Sequence, residues 1–314
     1  MTKKKIIQGI ILFVIYIVIF AFLIKYVSGN TEIIDRIMHA SPTYVMVGLL
    51  CSCVCMVLTG LMDVTCARLY SVNIGRVESV GLTYIASAIN LILPLQMGSV
   101  VKAVYLKKRL SLTYSRYISI VSGTAVINIM LTFVQIILCM IIVSLRISVD
   151  GTYTFFFIAV FALMMVCIFI GVKKQEFIMR ILPFKRISTP IMEGFYELIT
   201  DRKTVMLISV NLLASSVFGG IRFFFIFRML GFDGGALDGL LYYGLYNASS
   251  IIPILPGNIG ISEAIVGIMN SLMRSDFDIG VTTVLINRVY YYIVAIIGAA
   301  VSAFPIWVRY NKGE

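Results

Sequence analysis

Charge is scarce in this chain. Only 13% of its 314 residues are Asp, Glu, Lys or Arg, whereas a soluble domain carries roughly a quarter, so an ordinary water-soluble fold is excluded. Acidic residues are the rarer kind, 15 against 26 Lys and Arg. Histidine occurs once, at His39, and no HExxH helix exists. The six cysteines are Cys51, Cys53, Cys55, Cys66, Cys139 and Cys167, and none of their spacings matches a zinc or iron–sulfur site. On one helix Cys51 and Cys55 share a face while Cys53 points away, and we read the set as small packing residues. There is no Walker loop, no nucleophile constellation and no pair of surface carboxylates. We therefore expect a protein that is not an enzyme and uses no cofactor or metal. Any uphill movement must draw on an ion gradient or on consumption of product elsewhere.

What the chain has instead is apolar length. Hydrophobic residues make up 60% of it, with a mean hydropathy of +0.99. Several runs reach the ~20 residues a spanning helix needs. The pattern predicts an all-α integral membrane protein, one membrane domain over 1–314, with pseudo-repeat halves of about 1–150 and 151–314. Six spans are expected at about 6–27, 43–63, 117–145, 153–172, 204–230 and 280–307, with two broken hairpins at about 80–106 and 239–273. The run from Ile6 to Ile24 follows Lys3, Lys4 and Lys5. It is long and lacks a small-residue cleavage site, which favours a first span over a cleaved signal peptide.

Lys and Arg placement sets the orientation. With a cytoplasmic amino terminus, and each hairpin returning to its starting side, eighteen basic residues lie in the cytoplasm and five outside. Making the first hairpin a single crossing would move Lys107, Lys108, Arg109 and the basic loop 173–203 outside and erase the asymmetry. Both termini are thus expected in the cytoplasm of a cell (plasma) membrane. The net charge of +11 then reflects loops facing anionic headgroups, not nucleic acid. The first hairpin enters from the cytoplasm and the second from outside, an inverted-topology repeat.

The hairpin breaks match. Leu93-Pro94-Leu95-Gln96-Met97-Gly98 and Leu255-Pro256-Gly257-Asn258-Ile259-Gly260 share the form Leu-Pro-x-amide-aliphatic-Gly. Proline removes a backbone donor and glycine allows close backbone approach. Hydrocarbon tolerates freed backbone groups only where protein or a wet cavity surrounds them. Each leg is only ~15 residues, short of a straight crossing, although short tilted spans are the other solution. The helices that begin at Gly98 and Gly260 present amino termini suited to a phosphate. Asn90, Gln96 and Asn258 add donors and acceptors.

Charges inside the bilayer are costly and face a partner or a cavity. Lys102 lies four residues after Gly98, and Glu263 three after Gly260. If the hairpins meet tip to tip, these two approach each other. Lys102 would then attract a lipid phosphate, with Glu263 holding Arg288 or Lys102. The alternative is a structural ion pair that fixes hairpin packing. Tyr290, Tyr291 and Tyr292 read as an interface belt. Arg222 lies around 12 Å from the outer end of its span at ~1.5 Å per residue, close enough to snorkel outward. Asp63, Asn128, Gln135 and Asn211 read as interhelical hydrogen-bonding residues.

The stretch Ala88 to Leu106, with Asn90, Pro94, Gly98, Lys102, Tyr105 and Leu106, resembles the first signature of the flippase-like membrane region of lysylphosphatidylglycerol synthases. Pro256-Gly257-Asn258-Ile259-Gly260-Ile261-Ser262-Glu263 resembles the second, and Arg288 with Gly298 resembles the last span. Gln96 and Ser99 stand where the family has Arg and Glu. The resemblance implies translocation of a lipid headgroup, without the aminoacyl-transfer domain and so without lysyl transfer. It implies a substrate-binding set of Asn90, Pro94, Gln96, Gly98, Lys102, Pro256, Gly257, Asn258, Gly260, Glu263 and Arg288. Stand-alone relatives look tied to cell-envelope or polyprenyl-linked glycan pathways.

The function expected is flipping of an anionic phospholipid or a polyprenyl-phosphate-linked sugar between leaflets. The rival is a non-transporting partner that regulates an envelope-biosynthesis enzyme through loop 173–203, whose Ile191–Ile199 stretch suits a membrane surface. An enzyme acting on lipid phosphates is the third reading. Partners are thus a membrane lipid or lipid-linked glycan, with an envelope-biosynthesis enzyme and a second copy of the chain left open.

Overall fold

The computed structural model describes residues 31–92, 97–145, 185–249, 258–274 and 276–312, with a few isolated positions between 155 and 163. Among these residues every element is a helix. In chain order they are α1 (Thr31–Met38), α2 (Pro42–Leu69), α3 (Arg76–Ile92), α4 (Met97–Leu110), α5 (Tyr114–Ser144), α6 (Lys185–Thr200), α7 (Arg202–Met229), α8 (Ala236–Ser249), α9 (Ile261–Arg274) and α10 (Phe277–Lys312). The helices α2, α5, α7 and α10 are long and apolar enough to cross a membrane, and they fall on four of the six expected spans. The other two, about 6–27 and 153–172, lie outside the described residues apart from isolated positions. At ~1.5 Å per residue, α4, α8 and α9 extend about 21 Å, short of a ~30 Å hydrocarbon core.

Local sequence explains the punctuation. Pro42 opens α2 in the first turn, where its missing N–H costs nothing. Asp201 caps α7 by accepting from the Thr204 N–H at 2.9 Å, and the Thr204 hydrogen bonds hold its carboxyl below the usual carboxylate range. The ends of α2 and α7 are closed alike. Ser71 (φ 60) and Gly231 (φ 75) turn left-handed. The Val72 N–H then reaches the Ala67 carbonyl at 3.0 Å, and the Phe232 N–H the Phe227 carbonyl at 2.9 Å. Both are Schellman closures, which release the chain into a sharp reversal.

The similarity continues past the turns. Ser79 Oγ donates to the Gly60 carbonyl at 2.8 Å, and a Cβ at Gly60 would meet the Val80 backbone. One half on, a Cβ at Gly239 would strike the Gly220 carbonyl, and one at Gly220 would strike Leu240. Each long helix therefore meets its following short helix at backbone contact. The long helices run antiparallel: the Tyr44 and Phe225 rings are 5.7 Å apart, Arg222 reaches Ser52, and Cys55 reaches the Ser215 carbonyl. The turns after α2 and α7 consequently lie at opposite ends of the bundle.

Each short pair folds back on itself. Glu78 in the first turn of α3 faces Arg109 in the last turn of α4 at 3.2 Å and accepts from Tyr105 at 2.7 Å. Tyr242 of α8 donates to Asn270 of α9 at 2.8 Å. The loop-derived helix α6 is packed rather than loose: Leu198 is fully buried, Tyr70 donates to the Gly194 carbonyl at 2.5 Å, and Ser119 donates to that of Ile191 at 2.7 Å.

Because Gly60 and Gly220 sit at backbone contact, Gly60→Val and Gly220→Val should each destabilise the purified protein by about 1–3 kcal/mol through overpacking. Gly75→Ala, where an added Cβ meets only ordinary contacts, should leave the melting temperature unchanged. Equal melting curves for all three would refute the close approach.

Candidate functional site

The second break organises a buried polar cluster. Asn258 (φ 54) and Gly260 (φ 88) bend left-handed just before α9. The Asn258 amide donates to the Ser249 carbonyl at 3.2 Å, tying the start of α9 to the end of α8. Glu263 Oε2 accepts from the Gly260 N–H at 2.8 Å and from Ser262 Oγ at 3.0 Å. Arg288 of α10 donates from Nε to Glu263 Oε1 at 2.7 Å, and from Nη2 to Ser262 Oγ at 2.6 Å and to the Asn258 carbonyl at 3.2 Å. Arg288 and Glu263 are both buried, 8% and 3% exposed. Such a pair survives out of water only when its remaining polar atoms are also satisfied.

The first break is built differently. The Gly98 N–H donates to Asn90 Oδ1 at 2.7 Å, so Asn90 caps α4 across the hairpin. A Cβ on Gly98 would collide with the Ala86 carbonyl. Lys102 pairs with Asp63 of α2 and donates to Thr83 Oγ1 at 3.0 Å. Beside this pair the cavity is about 10 Å³, at the lower limit for one water.

These placements amend the sequence expectations. Glu263 does hold Arg288. It does not meet Lys102, which has Asp63 instead. The two breaks thus form separate clusters, because each has an oppositely charged partner on a long helix nearer than the other hairpin. The exposed amino termini expected at Gly98 and Gly260 are already occupied by Asn90 and Glu263. Pro94, Gln96, Pro256 and Gly257 lie outside the described residues. Tyr290 and Tyr291 are not a belt. Tyr290 is 5% exposed against Gly48, and Tyr291 donates to Ser87 of α3 at 2.8 Å. Asn128 and Gln135 bond across helices as expected, to Asn247 and to the Leu240 carbonyl.

Arg222 departs most from expectation. It does not snorkel outward: it is 4% exposed, donates to Ser52 Oγ at 3.0 Å and lies 5.8 Å from the centre of the Tyr243 ring. Its Nε has no partner, and no carboxylate among the described residues pairs with it. Asp63 and Arg222 are the functional candidates that the motifs missed. A lone charge in an apolar run was the available signal, and it did not reveal which way either side chain turned.

With this geometry in view, the family is clear. The chain matches the model of the lysylphosphatidylglycerol synthase TM region over residues 9–298 and belongs to that family. No curated protein matches it. It is an all-α, multi-pass membrane protein.

Glu263→Ala strands a buried guanidinium and should cost about 3–5 kcal/mol. Glu263→Met combined with Arg288→Met should recover most of that loss, as read by thermal unfolding in detergent. A double variant no more stable than Glu263→Ala would contradict the pairing. Gly260→Ala meets no steric obstacle but forces a left-handed alanine, at a cost of about 1–2 kcal/mol. Gly260→Asn should be milder.

Proposed function

We propose that this protein moves the anionic headgroup of a membrane lipid, a phospholipid or a polyprenyl-phosphate-linked sugar, between leaflets, and that Arg222 receives the phosphate. The observation that carries the proposal is the lone buried guanidinium. Removing an ion from water costs several kcal/mol unless a counter-charge is supplied. Lys102 and Arg288 have theirs within the protein, and among the described residues Arg222 has a hydroxyl and a ring. A phosphate supplies two acceptors to a guanidinium fork.

Three features support a lipid as the carrier of that phosphate. The family is one of a membrane region in lipid biosynthesis. The two broken hairpins start at opposite ends of an antiparallel framework, the arrangement of an inverted-topology repeat in which a central site is reached alternately from either side. Between α4 and α10 an apolar hollow of about 650 Å³, lined by Val100, Val104, Phe304 and Trp307 among others, offers room for an acyl or prenyl chain. On this reading the chain catalyses no covalent step. The end carrying Lys107, Lys108 and Arg109 faces the cytoplasm of the plasma membrane.

Arg222→Met removes an unpaired buried charge and fills its place with apolar volume. Its melting temperature should hold or rise, because replacing buried ions by packed apolar side chains is neutral to stabilising. Its movement of fluorescent phosphatidylglycerol, read by dithionite quenching in proteoliposomes, should fall to the protein-free rate. Wild-type movement in this variant would remove Arg222 from the site.

A further inference from the structure

A second polar space opens between the long helices, apart from both breaks' ion pairs. It is a cavity of about 260 Å³ between α2, α5, α7 and α8. Its polar lining is Thr59, Thr124, Asn128, Ser215, Tyr243 and Asn247, and among the described residues no charged side chain lines it. Asn128 and Ser215 fall at the centres of α5 and α7, so the cavity sits at mid-depth, where an apolar wall would be the default.

Its hydrogen-bonding capacity is of one kind. Asn128 and Asn247 exchange amide bonds at 3.4 and 3.2 Å. Thr59 and Thr124 donate back to the Cys55 and Ile120 carbonyls at 2.9 and 2.8 Å. A hydroxyl that donates to its own helix keeps its lone pairs as acceptors. Asn247 spends its other N–H on Thr132 Oγ1 at 3.0 Å, so the amide donor that remains is the second N–H of Asn128. The walls therefore present a neutral donor beside several acceptors, the complement of a group that carries hydroxyls. They offer no counter-charge to an ammonium or a phosphate.

The geometry points to this cavity as the seat of an uncharged polyol, a glycerol or monosaccharide, attached to the phosphate that Arg222 receives. Tyr243 connects the two sites. Its ring forms a wall of the cavity and lies against the Arg222 guanidinium, so phosphate and polyol sit on neighbouring surfaces, as they do in one headgroup. The inference rests on the lipid reading and narrows it. Lipids with hydroxylated heads fit, whereas bare phosphatidic acid leaves the cavity without its ligand.

The test reads binding rather than movement, so the two readings can fail separately. Delipidated protein is mixed with phosphatidylglycerol or phosphatidic acid, and retained lipid is counted by native mass spectrometry. Wild type should retain phosphatidylglycerol about tenfold more strongly, the scale of one or two net hydrogen bonds. Asn128→Leu combined with Asn247→Leu replaces both partners by apolar groups of like shape, which is tolerated better than removing one. It should lower phosphatidylglycerol retention to the phosphatidic acid level and leave the latter unchanged. Thr124→Val gives the same direction, a several-fold loss, should the double variant not fold. Displacement of the lipid by millimolar free glucose would keep the site and assign it to a soluble polyol. Equal retention of both lipids by wild type, or an undiminished preference in the variants, would overturn the assignment. A preserved preference in wild type without headgroup movement in vesicles would instead discard the translocation reading and keep the site.

Discussion

The bond between Arg288 and Glu263 holds the two short hairpins in relation to each other. Glu263 fixes the start of α9 by accepting from the Gly260 N–H, and Arg288 fixes Glu263 from α10. Three residues on, Tyr291 reaches Ser87 of α3. A helix brings side chains at that spacing to one face, so α10 grips the second hairpin with one residue and the first with the next turn. Farther along, Gly298 lies against the Tyr84 ring of the same α3. The last helix is a strut shared by two hairpins, and the buried pair is its rigid joint.

Around that joint the protein distributes charge unequally. Lys102 is neutralised by Asp63 and Arg288 by Glu263, while Arg222 is left with Ser52 and an aromatic face. The helix turns after α2 and α7 close alike, but the side chains around them differ. Asp63 and Thr83 bond at 3.4 Å in the first half. The positions 160 residues on are Phe223 and Tyr243, whose rings stand 5.8 Å apart. A polar contact in one half corresponds to an aromatic one in the other. The lone guanidinium belongs to α7, and the neutral cavity is lined from both sides, by α2 and α5 and by α7 and α8.

Much of the fold was legible because hydrophobic length and helix punctuation are local properties. The spans read at 43–63, 117–145, 204–230 and 280–307 each correspond to a helix, and the Pro-Gly breaks fall where α3 gives way to α4 and α8 to α9. The Glu263–Arg288 pair was legible for a related reason: few opposite charges exist in the apolar part of the chain, so few pairings are available. The partner of Lys102 was misjudged because periodicity on one helix does not say which neighbouring helix lies opposite, and Asp63 is 39 residues away in sequence. Tyr290 and Tyr291 were misread for the same reason. Interface belts and interhelical packing use the same residue type, and only Gly48 and Ser87 across the gap distinguish them. The neutral cavity was invisible because Asn128 read only as an interhelical hydrogen-bonding residue, and Thr59, Ser215 and Asn247 converge on it only in three dimensions.

Headgroup recognition turns on what neutralises Arg222. Electron cryomicroscopy of the protein in nanodiscs containing phosphatidylglycerol tests it most directly. Phosphate density is expected within hydrogen-bonding distance of the Arg222 guanidinium, beside the Tyr243 ring. A carboxylate of the chain itself closing on Arg222, with no lipid phosphate at the site, would contradict it.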